Sequence, residues 1–369
     1  MRFPEFDGEW EVKKLGEVAS NKSGKYNPIN ATDSIKCIEL EHLATETGQL
    51  LGYTDGSKSG SIKNVFNEGD VLFGKLRPYL KKYLQAPFDG VCSSEIWVLK
   101  GKNISNDFLY RIVQTNSFID LANQSSGSKM PRADWNVVEN GFFSFPSLTE
   151  QQKIASFLSL IDERIQTQSK IIENLKTLIK ATSEKLFTQK IRFKDDNGSD
   201  FPDWEVKSLG EICEKKSSNI SANKIEDNFG EYIIYGASGV LKKVDFYEEK
   251  NDYISIVKDG AGVGRLFYCK GKSSVLGTMD IIKPLANTNT YFLFYLLSNI
   301  DFTKYVTGST IPHIYFKDYK NENFGIPCTE EQTKIATFLS QIDEKIEIEK
   351  QLLIEYENQK KYLLQNLFI

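Results

Sequence analysis

Two long segments of the chain repeat apolar residues at alternating steps of four and three. In the first segment these residues are Ile154, Leu158, Ile161, Ile165, Ile172, Leu175, Ile179 and Leu186. The second segment contains the matching series Ile335, Leu339, Ile342, Ile346, Leu353, Tyr356, Leu363 and Leu367. A period near 3.5 residues keeps a narrow apolar stripe on one side of a helix, as in coiled coils. Neither segment contains Pro or Gly, so we predict two long helices whose stripes need a partner.

The two predicted helices are the natural partners of each other. A whole domain of chain separates them, which favours antiparallel pairing with a globular part at each end of a rod. Polar interruptions of the stripes occur at Gln168, Thr182, Glu349 and Lys360. Such interruptions fix the register and the choice of partner. A coiled coil with a purely structural role is the alternative interpretation at this stage.

The segments that precede the helices favour β-structure. In the first, alternating patterns and Gly punctuation predict strands at Ser34–Leu40, Gly69–Leu76 and Ser93–Lys100, then a helix over Asn106–Asn123. In the second, strands are predicted at Glu231–Gly236, Asp252–Lys258, Arg265–Lys270 and Ser273–Pro284, then a helix over Thr290–Asn299. The expected fold class is α+β: two β-rich mixed domains joined by two long helices that pair as an antiparallel coiled coil, pseudo-twofold.

Three sequence repeats frame the predicted domains. PSLTEQQKIASFLSLIDERI (146–165) returns as PCTEEQTKIATFLSQIDEKI (327–346), with 13 of 20 positions identical. WEVKKLGEV (10–18) returns as WEVKSLGEI (204–212), and GSKMPR (127–132) corresponds to GSTIPH (308–313). Between these frames the two copies hardly correspond. We interpret the shared part as a docking surface and ruler, and the divergent parts as two different recognition surfaces.

Net charge limits how this chain can bind nucleic acid. The 369 residues, enough for two domains, carry a net charge of −4. Residues 1–146 contain 17 Lys+Arg and 18 Asp+Glu, residues 201–327 contain 15 and 16, and residues 328–369 contain 5 and 8. Affinity for DNA depends on the number of phosphates that cations neutralise. Any DNA contact must therefore come from local basic clusters or from partners that bring their own charge.

Cysteine and histidine usage argues against a metal site. Five isolated cysteines, none in CxxC spacing, accompany only two histidines, His42 and His313. We read the cysteines as small core residues in a protein of the reducing cytoplasm, without a zinc site. Neither a signal peptide nor a membrane span is apparent. The histidines are more easily explained as hydrogen-bonding or core residues than as catalytic ones.

Catalytic and cofactor motifs are weak. The glycine cluster DGAGVG (259–264) follows a predicted strand, as in some nucleotide or S-adenosylmethionine sites. However, the chain then returns to a strand-like pattern rather than to a helix, which favours a tight hairpin or a close backbone approach to DNA. The chain also lacks an NPPY or DPPY tetrad and a GxxxxGK[ST] phosphate loop. We therefore expect no cofactor-binding, metal-binding or catalytic residue.

Candidate DNA contacts come from basic residues beside aromatic or turn residues. In the first domain these are Lys75, Arg77, Tyr79, Lys81, Lys82, Ser93, Ser94, Lys129 and Arg132. In the second domain they are Lys242, Lys243, Lys258, Arg265, Thr310 and His313. Guanidinium and ammonium groups bind phosphates, and Arg77 has the chemistry to bind a guanine edge. The basic run is equally compatible with an ordinary solvated loop, and the two serines with turn capping.

The repeated EQ-K-IA-FLS-IDE-I motif, the WEVK-LGE starts and the long helices resemble the specificity subunit of type I restriction–modification systems. GKLRPYLKKYL (74–84) and YISIVKDGAGVGR (253–265) are similar to two types of target-recognition domain in that family. The resemblance implies target-recognition domains at 1–147 and, after a linker, within 193–327, and conserved helices at 148–192 and 328–369. Each domain is then expected to read one half of a bipartite double-stranded DNA site, while the helices set the spacer.

The resemblance also implies partners. The helices are expected to dock two methyltransferase subunits, to which motor–nuclease subunits can add. S-adenosylmethionine, and ATP with magnesium, are expected only on those partners, so the chain itself is expected to be non-catalytic. Two alternatives from other classes remain open from the residues alone: a stand-alone DNA methyltransferase, and a coiled-coil adaptor that binds proteins through both domains.

Overall fold

The computed structural model describes residues 2–30, 33–124 and 130–368, and the chain forms two compact units. The first unit contains residues 1–169 and 351–369, and the second contains residues 170–350. Each unit therefore combines one β-rich domain with portions of both long helices. This is the α+β architecture that the apolar patterns predict.

The domain of the first unit contains three sheets among the described residues. Its strands are β1 (Glu11–Lys14), β2 (Ala19–Ser20), β3 (Lys25–Tyr26), β4 (Lys36–Ile38), β5 (Thr54–Asp55), β6 (Lys63–Phe66), β7 (Val71–Gly74), β8 (Tyr83–Gln85), β9 (Gly90–Cys92), β10 (Ile96–Gly101) and β11 (Phe142–Phe145). They pair in the orders β1-β11, β2-β10-β7-β8 and β3-β6-β9-β4-β5. Four helices accompany them: α1 (Leu15–Val18), α2 (Asn106–Ile112), α3 (Asn116–Asn123) and α4 (Trp135–Val138).

The single helix predicted over Asn106–Asn123 is in fact two helices, α2 and α3. The apolar pattern continues across both, but α2 ends at Ile112 and Thr115 is the N-cap of α3. Its hydroxyl donates to the Ile112 carbonyl at 2.7 Å and accepts from the Phe118 amide at 3.3 Å. A threonine that caps the next helix competes with continued helical bonding, which the periodicity does not reveal.

The domain of the second unit repeats this plan with fewer strands. Its strands are β12 (Glu205–Ser208), β13 (Cys213–Ser217), β14 (Tyr232–Gly236), β15 (Gly239–Val244), β16 (Tyr253–Val257), β17 (Leu266–Cys269), β18 (Ser273–Val275), β19 (Met279–Pro284) and β20 (Asn323–Ile326). They pair as β12-β20, β13-β19-β16-β17 and β15-β14-β18 in the described residues. Its helices are α6 (Leu209–Ile212), α7 (Thr290–Ser298) and α8 (Phe316–Tyr319). The predicted strand Ser273–Pro284 is two strands, separated by a turn at residues 276–278.

The two domains share a backbone topology although their sequences hardly correspond between the repeats. The sheet β2-β10-β7-β8 has the same order as β13-β19-β16-β17. The parallel pair β4–β9 likewise matches the parallel pair β14–β18. Many sets of apolar side chains can fill one core if volume and pattern are kept. The shared topology therefore survives where sequence identity does not.

The two long helices are α5 (Leu148–Phe187) and α9 (Thr329–Asn366). In the first unit, Ile154, Leu158 and Ile161 of α5 join one core with Leu363, near the end of α9, and Leu367, just after it. In the second unit, Ile179 and Leu186 near the end of α5 pack with Ile335 and Leu339 near the start of α9. The beginning of each helix thus meets the end of the other, which confirms the predicted antiparallel pairing.

The cysteines support the interpretation as core residues. Cys37, Cys92, Cys213 and Cys269 are buried, and Cys328 is half-buried. Burial raises the pKa of the Cys37 thiol to about 11 and that of the Cys213 thiol to about 12. These thiols are therefore protonated and unreactive at neutral pH.

Candidate nucleic-acid interface

In the first domain, the basic loop (residues 74–84) lies beside the proline turn (residues 130–133). The Arg77 amide donates to the Pro131 carbonyl at 2.8 Å, and the Ala133 amide donates to the Lys75 carbonyl at 2.8 Å. Leu76 and Arg132 form the β-bridge between these two bonds. Two candidate segments that are distant in sequence therefore form one continuous surface.

The backbone of Arg77 has an unusual conformation for a non-glycine residue. Its φ of 53° lies in the left-handed region, where an L-residue is disfavoured by steric contact of its Cβ atom. Its side chain is exposed, and among the described residues no hydrogen bond or ion pair to its guanidinium is found. Tyr79, two residues further on, is also exposed. This part of the loop therefore presents an uncommitted guanidinium beside an aromatic ring.

Several other predicted contacts of the first domain already have partners within the chain. Lys81 pairs with Glu46 at 3.2 Å, the Lys82 ammonium donates to the Leu40 carbonyl at 2.6 Å, and Arg132 pairs with Glu95 at 3.0 Å. Lys75 and Ser93 are half-buried, and Ser94 is exposed. Lys129 lies outside the described residues. A ligand must compete with these intramolecular contacts at Lys81, Lys82 and Arg132.

The second domain builds the same loop-to-turn pairing from different residues. The Gly260 amide donates to the Pro312 carbonyl at 2.9 Å, and the Ile314 amide donates to the Lys258 carbonyl at 3.0 Å. Asp259 and His313 form the β-bridge between them. Lys258 thus occupies the position equivalent to Lys75. Gly260 occupies the position equivalent to Arg77, and its φ of 92° is positive as well. The cluster DGAGVG is the connection of the β16–β17 hairpin.

The side chains of the remaining candidates in the second domain differ in the partners that they already have within the chain. Lys258 pairs with the buried Asp280 at 3.2 Å. Lys242 donates to the Ile225 carbonyl at 2.7 Å and lies over the Phe229 ring. The exposed Arg265 donates to the Ala237 carbonyl at 2.9 Å.

Three further candidates lie at the surface or close to it. Lys243 and Thr310 are exposed, and His313 is half-buried, with its Nδ1 3.2 Å from the Ile311 carbonyl oxygen.

Sequence reasoning missed one pair of side chains on this surface. Met130 and Ile311 immediately precede the turn prolines, occupy equivalent places in the two copies, and are both exposed. Large apolar side chains beside a basic loop can contact thymine methyl groups. The repeated GSKMPR and GSTIPH segments contain the signal, because an apolar residue precedes the proline in both.

No cluster of three or more metal-ligating residues occurs in the part of the chain that the structure describes. Within the same described ranges, none of the helices combines the length and apolar character needed to cross a membrane.

The sequence matches the family described as "Type I restriction modification DNA specificity domain" over residues 7–177 and 202–358. It is 26% identical to the type I restriction enzyme MjaVIII specificity subunit of Methanocaldococcus jannaschii, over 99% of this chain and 92% of that protein. It is 29% identical to the putative MjaX specificity subunit of the same organism, over 98% and 93%. A crystal structure of a type I restriction–modification S subunit from M. genitalium has the same fold, with a TM-score of 0.64, 17% identity, and coverage of 100% and 99%.

The chain belongs to this family of type I restriction–modification DNA specificity domains. It is a specificity subunit, a DNA-recognition protein without a catalytic centre of its own. Membership implies DNA as the ligand and the modification and restriction subunits of such systems as partners. The predicted family, the fold class and the non-catalytic role are thereby confirmed.

Proposed function

We propose that each domain reads one half of a bipartite DNA site through its paired loop and proline turn. One observation carries the proposal: both domains build the same backbone arrangement, but with different residues at its equivalent positions. Arg77, Met130 and Arg132 in the first domain stand where Gly260, Ile311 and His313 stand in the second. Two similar frames with different side chains are what reading two different half-sites requires.

The equivalent and the differing residues suggest a division of roles. Lys75 and Lys258 occupy the same place at the end of a central strand, and a shared cation suits the phosphate backbone, which carries no sequence information. The differing residues suit contacts to base edges, and the Arg77 guanidinium can form a bidentate pair with guanine. The other candidate residues remain predicted contacts of either kind.

We further propose that the paired helices set the unread spacer and dock two methyltransferase subunits. Both units expose large apolar side chains on the long helices. In the first unit these are Leu148, Leu160, Leu352, Ile354 and Tyr362, and in the second they are Ile171, Leu178, Phe338 and Ile348. Exposed apolar residues along a helix pair support a protein partner there.

The near-neutral domains support a role for partner subunits in binding phosphate. Motor–nuclease subunits can join the complex for cleavage. S-adenosylmethionine, and ATP with magnesium, bind to the partners rather than to this chain, and the complex works in the cytoplasm.

The test is to co-express the chain with its methyltransferase partner and map methylated adenines in cellular DNA. We expect methylation at a two-part motif with a fixed spacer. Arg77→Ala should then reduce discrimination within the first half of that motif and leave the second half unchanged. Equal loss at both halves would show misfolding or a different role for Arg77, and methylation at a continuous motif would contradict the proposal.

A further inference from the structure

We propose that the repeated helical motif holds the recognition domain of its own unit in a fixed orientation. In the first unit, Glu150, Gln151 and Asp162 of α5 hold the first domain, and we call these three residues its mount. Glu331, Gln332 and Asp343 are the corresponding mount of the second domain on α9. In this view these residues are positioning residues, which fix the orientation of each domain without touching DNA. The inference rests on the proposed function, because orientation matters only if the domains read two half-sites at a fixed spacing.

The first contact of the mount is a buried carboxylate held by two donors. Glu150 is 1% exposed and receives hydrogen bonds from Arg2 Nε at 2.8 Å and Nη2 at 2.7 Å. The Trp10 indole N–H also donates to it, at 3.3 Å. The segment that leads into β1 is thereby tied to the first turn of α5. A bidentate Arg–carboxylate pair fixes direction as well as distance.

The second unit contains the same clamp, by which we mean a buried glutamate that accepts from an arginine and a tryptophan. Glu331 is fully buried and receives hydrogen bonds from Arg192 Nε at 3.1 Å and Nη2 at 2.7 Å, and from the Trp204 indole N–H at 2.9 Å. Eleven residues separate Arg192 from Trp204, whereas seven separate Arg2 from Trp10. The clamp is therefore kept although the connecting segment differs in length.

The glutamine that follows each clamp carboxylate contacts the helix of the domain. Gln151 Oε1 accepts from the Ser105 amide at 3.1 Å, where Ser105 is the N-cap of α2. Gln332 Oε1 likewise accepts from the amide of Asn289, the N-cap of α7, at 2.9 Å. Each glutamine thus holds the first residue of the corresponding domain helix.

Three turns further along the long helix, the two copies use different chemistry at the same place. Arg111 of α2 is 3% exposed and forms an ion pair with Asp162, to which Lys360 also donates at 2.8 Å. In the second unit, the Tyr295 hydroxyl of α7 donates to Asp343, and it also donates to the Leu339 carbonyl at 3.0 Å. The aspartate is the same, while its partner on the domain helix is arginine in one unit and tyrosine in the other.

The identities between the two motifs follow burial. Within residues 146–165, all seven positions that differ from the second copy are exposed. Of the 13 identical positions, only Lys153 and Glu163 are exposed. A surface that docked a shared partner would keep its exposed residues. The repeat therefore reflects contact with the chain's own domains, and partner docking is left mainly to exposed side chains outside the identical positions, such as Leu148 and Leu160.

The test uses the full chain in complex with its methyltransferase partner and plasmids in which the mapped half-sites are separated by spacers of graded length. In Arg111→Ala, Asp162 keeps Lys360 as a cation, but the first domain loses its ion pair to α5. We expect discrimination against spacers one base pair too long or short to fall about tenfold, as for the loss of one charged hydrogen bond. The base preference within the first half-site should remain unchanged. Arg111→Tyr, which copies the second unit, should restore the wild-type spacer preference.

Wild-type spacer discrimination in a folded Arg111→Ala protein would overturn the mount, and so would failure of folded Arg111→Tyr to restore it. If Arg111→Ala does not fold, Glu150→Gln replaces it, and the same fall in spacer discrimination is expected. Wild-type spacer discrimination in a folded Glu150→Gln protein would then overturn the mount. Failure of the proposed function would look different. In that case the wild-type complex itself would show no dependence on the spacer.

Discussion

The left-handed backbone of Arg77 makes Arg77→Gly a change that should improve stability and damage function. A non-glycine residue at a φ of 53° costs about 1 kcal/mol or more, which glycine avoids. Glycine also gives the unfolded chain more freedom, which costs roughly 0.5–1 kcal/mol. The net expectation is therefore a gain of about 0–1 kcal/mol in the free energy of unfolding of the first unit. The second domain already has Gly260 at this place.

The loss of function should be much larger than this gain. A bidentate arginine–guanine contact provides about 1–3 kcal/mol of discrimination, or roughly five- to over a hundredfold in specificity. The assay measures two quantities on the same variants: thermal unfolding of the purified chain, and methylation of plasmids with single-base changes in each half-site. We expect the unfolding midpoint of the first unit to rise by about 0–4 °C, while discrimination at the first half-site falls.

Two control variants separate strain from readout. Arg77→Ala keeps the left-handed strain and should lose discrimination without a gain in stability. Lys272→Gly relieves the same kind of strain at an exposed lysine (φ 53°) outside the two paired loops, and should leave both half-sites unaffected. If Arg77→Gly kept full discrimination at the first half-site, Arg77 would have no role in reading bases. If it destabilised the unit by more than about 1 kcal/mol, the reasoning about left-handed strain would be refuted.

Two further predictions concern the long helices. Burial raises the pKa of the Asp343 carboxyl above its ordinary value of 3.8. As pH rises from that value towards the higher pKa of the folded state, the folded chain retains a proton that the unfolded chain releases. The free energy of unfolding therefore falls over this pH range. Asp343→Asn should remove that fall, as measured by urea unfolding of the second unit from about pH 3.5 to 7, and an unchanged pH dependence would contradict it. Inserting four residues between Lys170 and Thr182 lengthens α5 by about 6 Å, close to two base pairs. The preferred spacer should then change or recognition should be abolished, and an unchanged spacer in the methylation map would argue against the helical ruler.

The candidate interface could be predicted only in pieces. Basic residues of the loop at Lys75 and Arg77, and the turn at Arg132, were each apparent from the sequence. That the loop and the turn are hydrogen-bonded to each other depends on the tertiary fold, because the two segments are distant in sequence. Sequence also gave no sign that Lys82 and Lys258 are engaged within the chain, because their partners are distant in sequence.

The sequence by itself determined the long helices, their antiparallel pairing and the duplicated plan. Apolar periodicity and repeats are local patterns, and a 3.5-residue stripe has few ways to be buried. Only the tertiary structure decided why the repeat is kept. Glu150 and Asp162 look like ordinary helix-surface carboxylates in the sequence, whereas in the fold they meet Arg2, Trp10 and Arg111. A charged side chain is buried only where distant parts of the chain supply its partners, and periodicity carries no information about those partners.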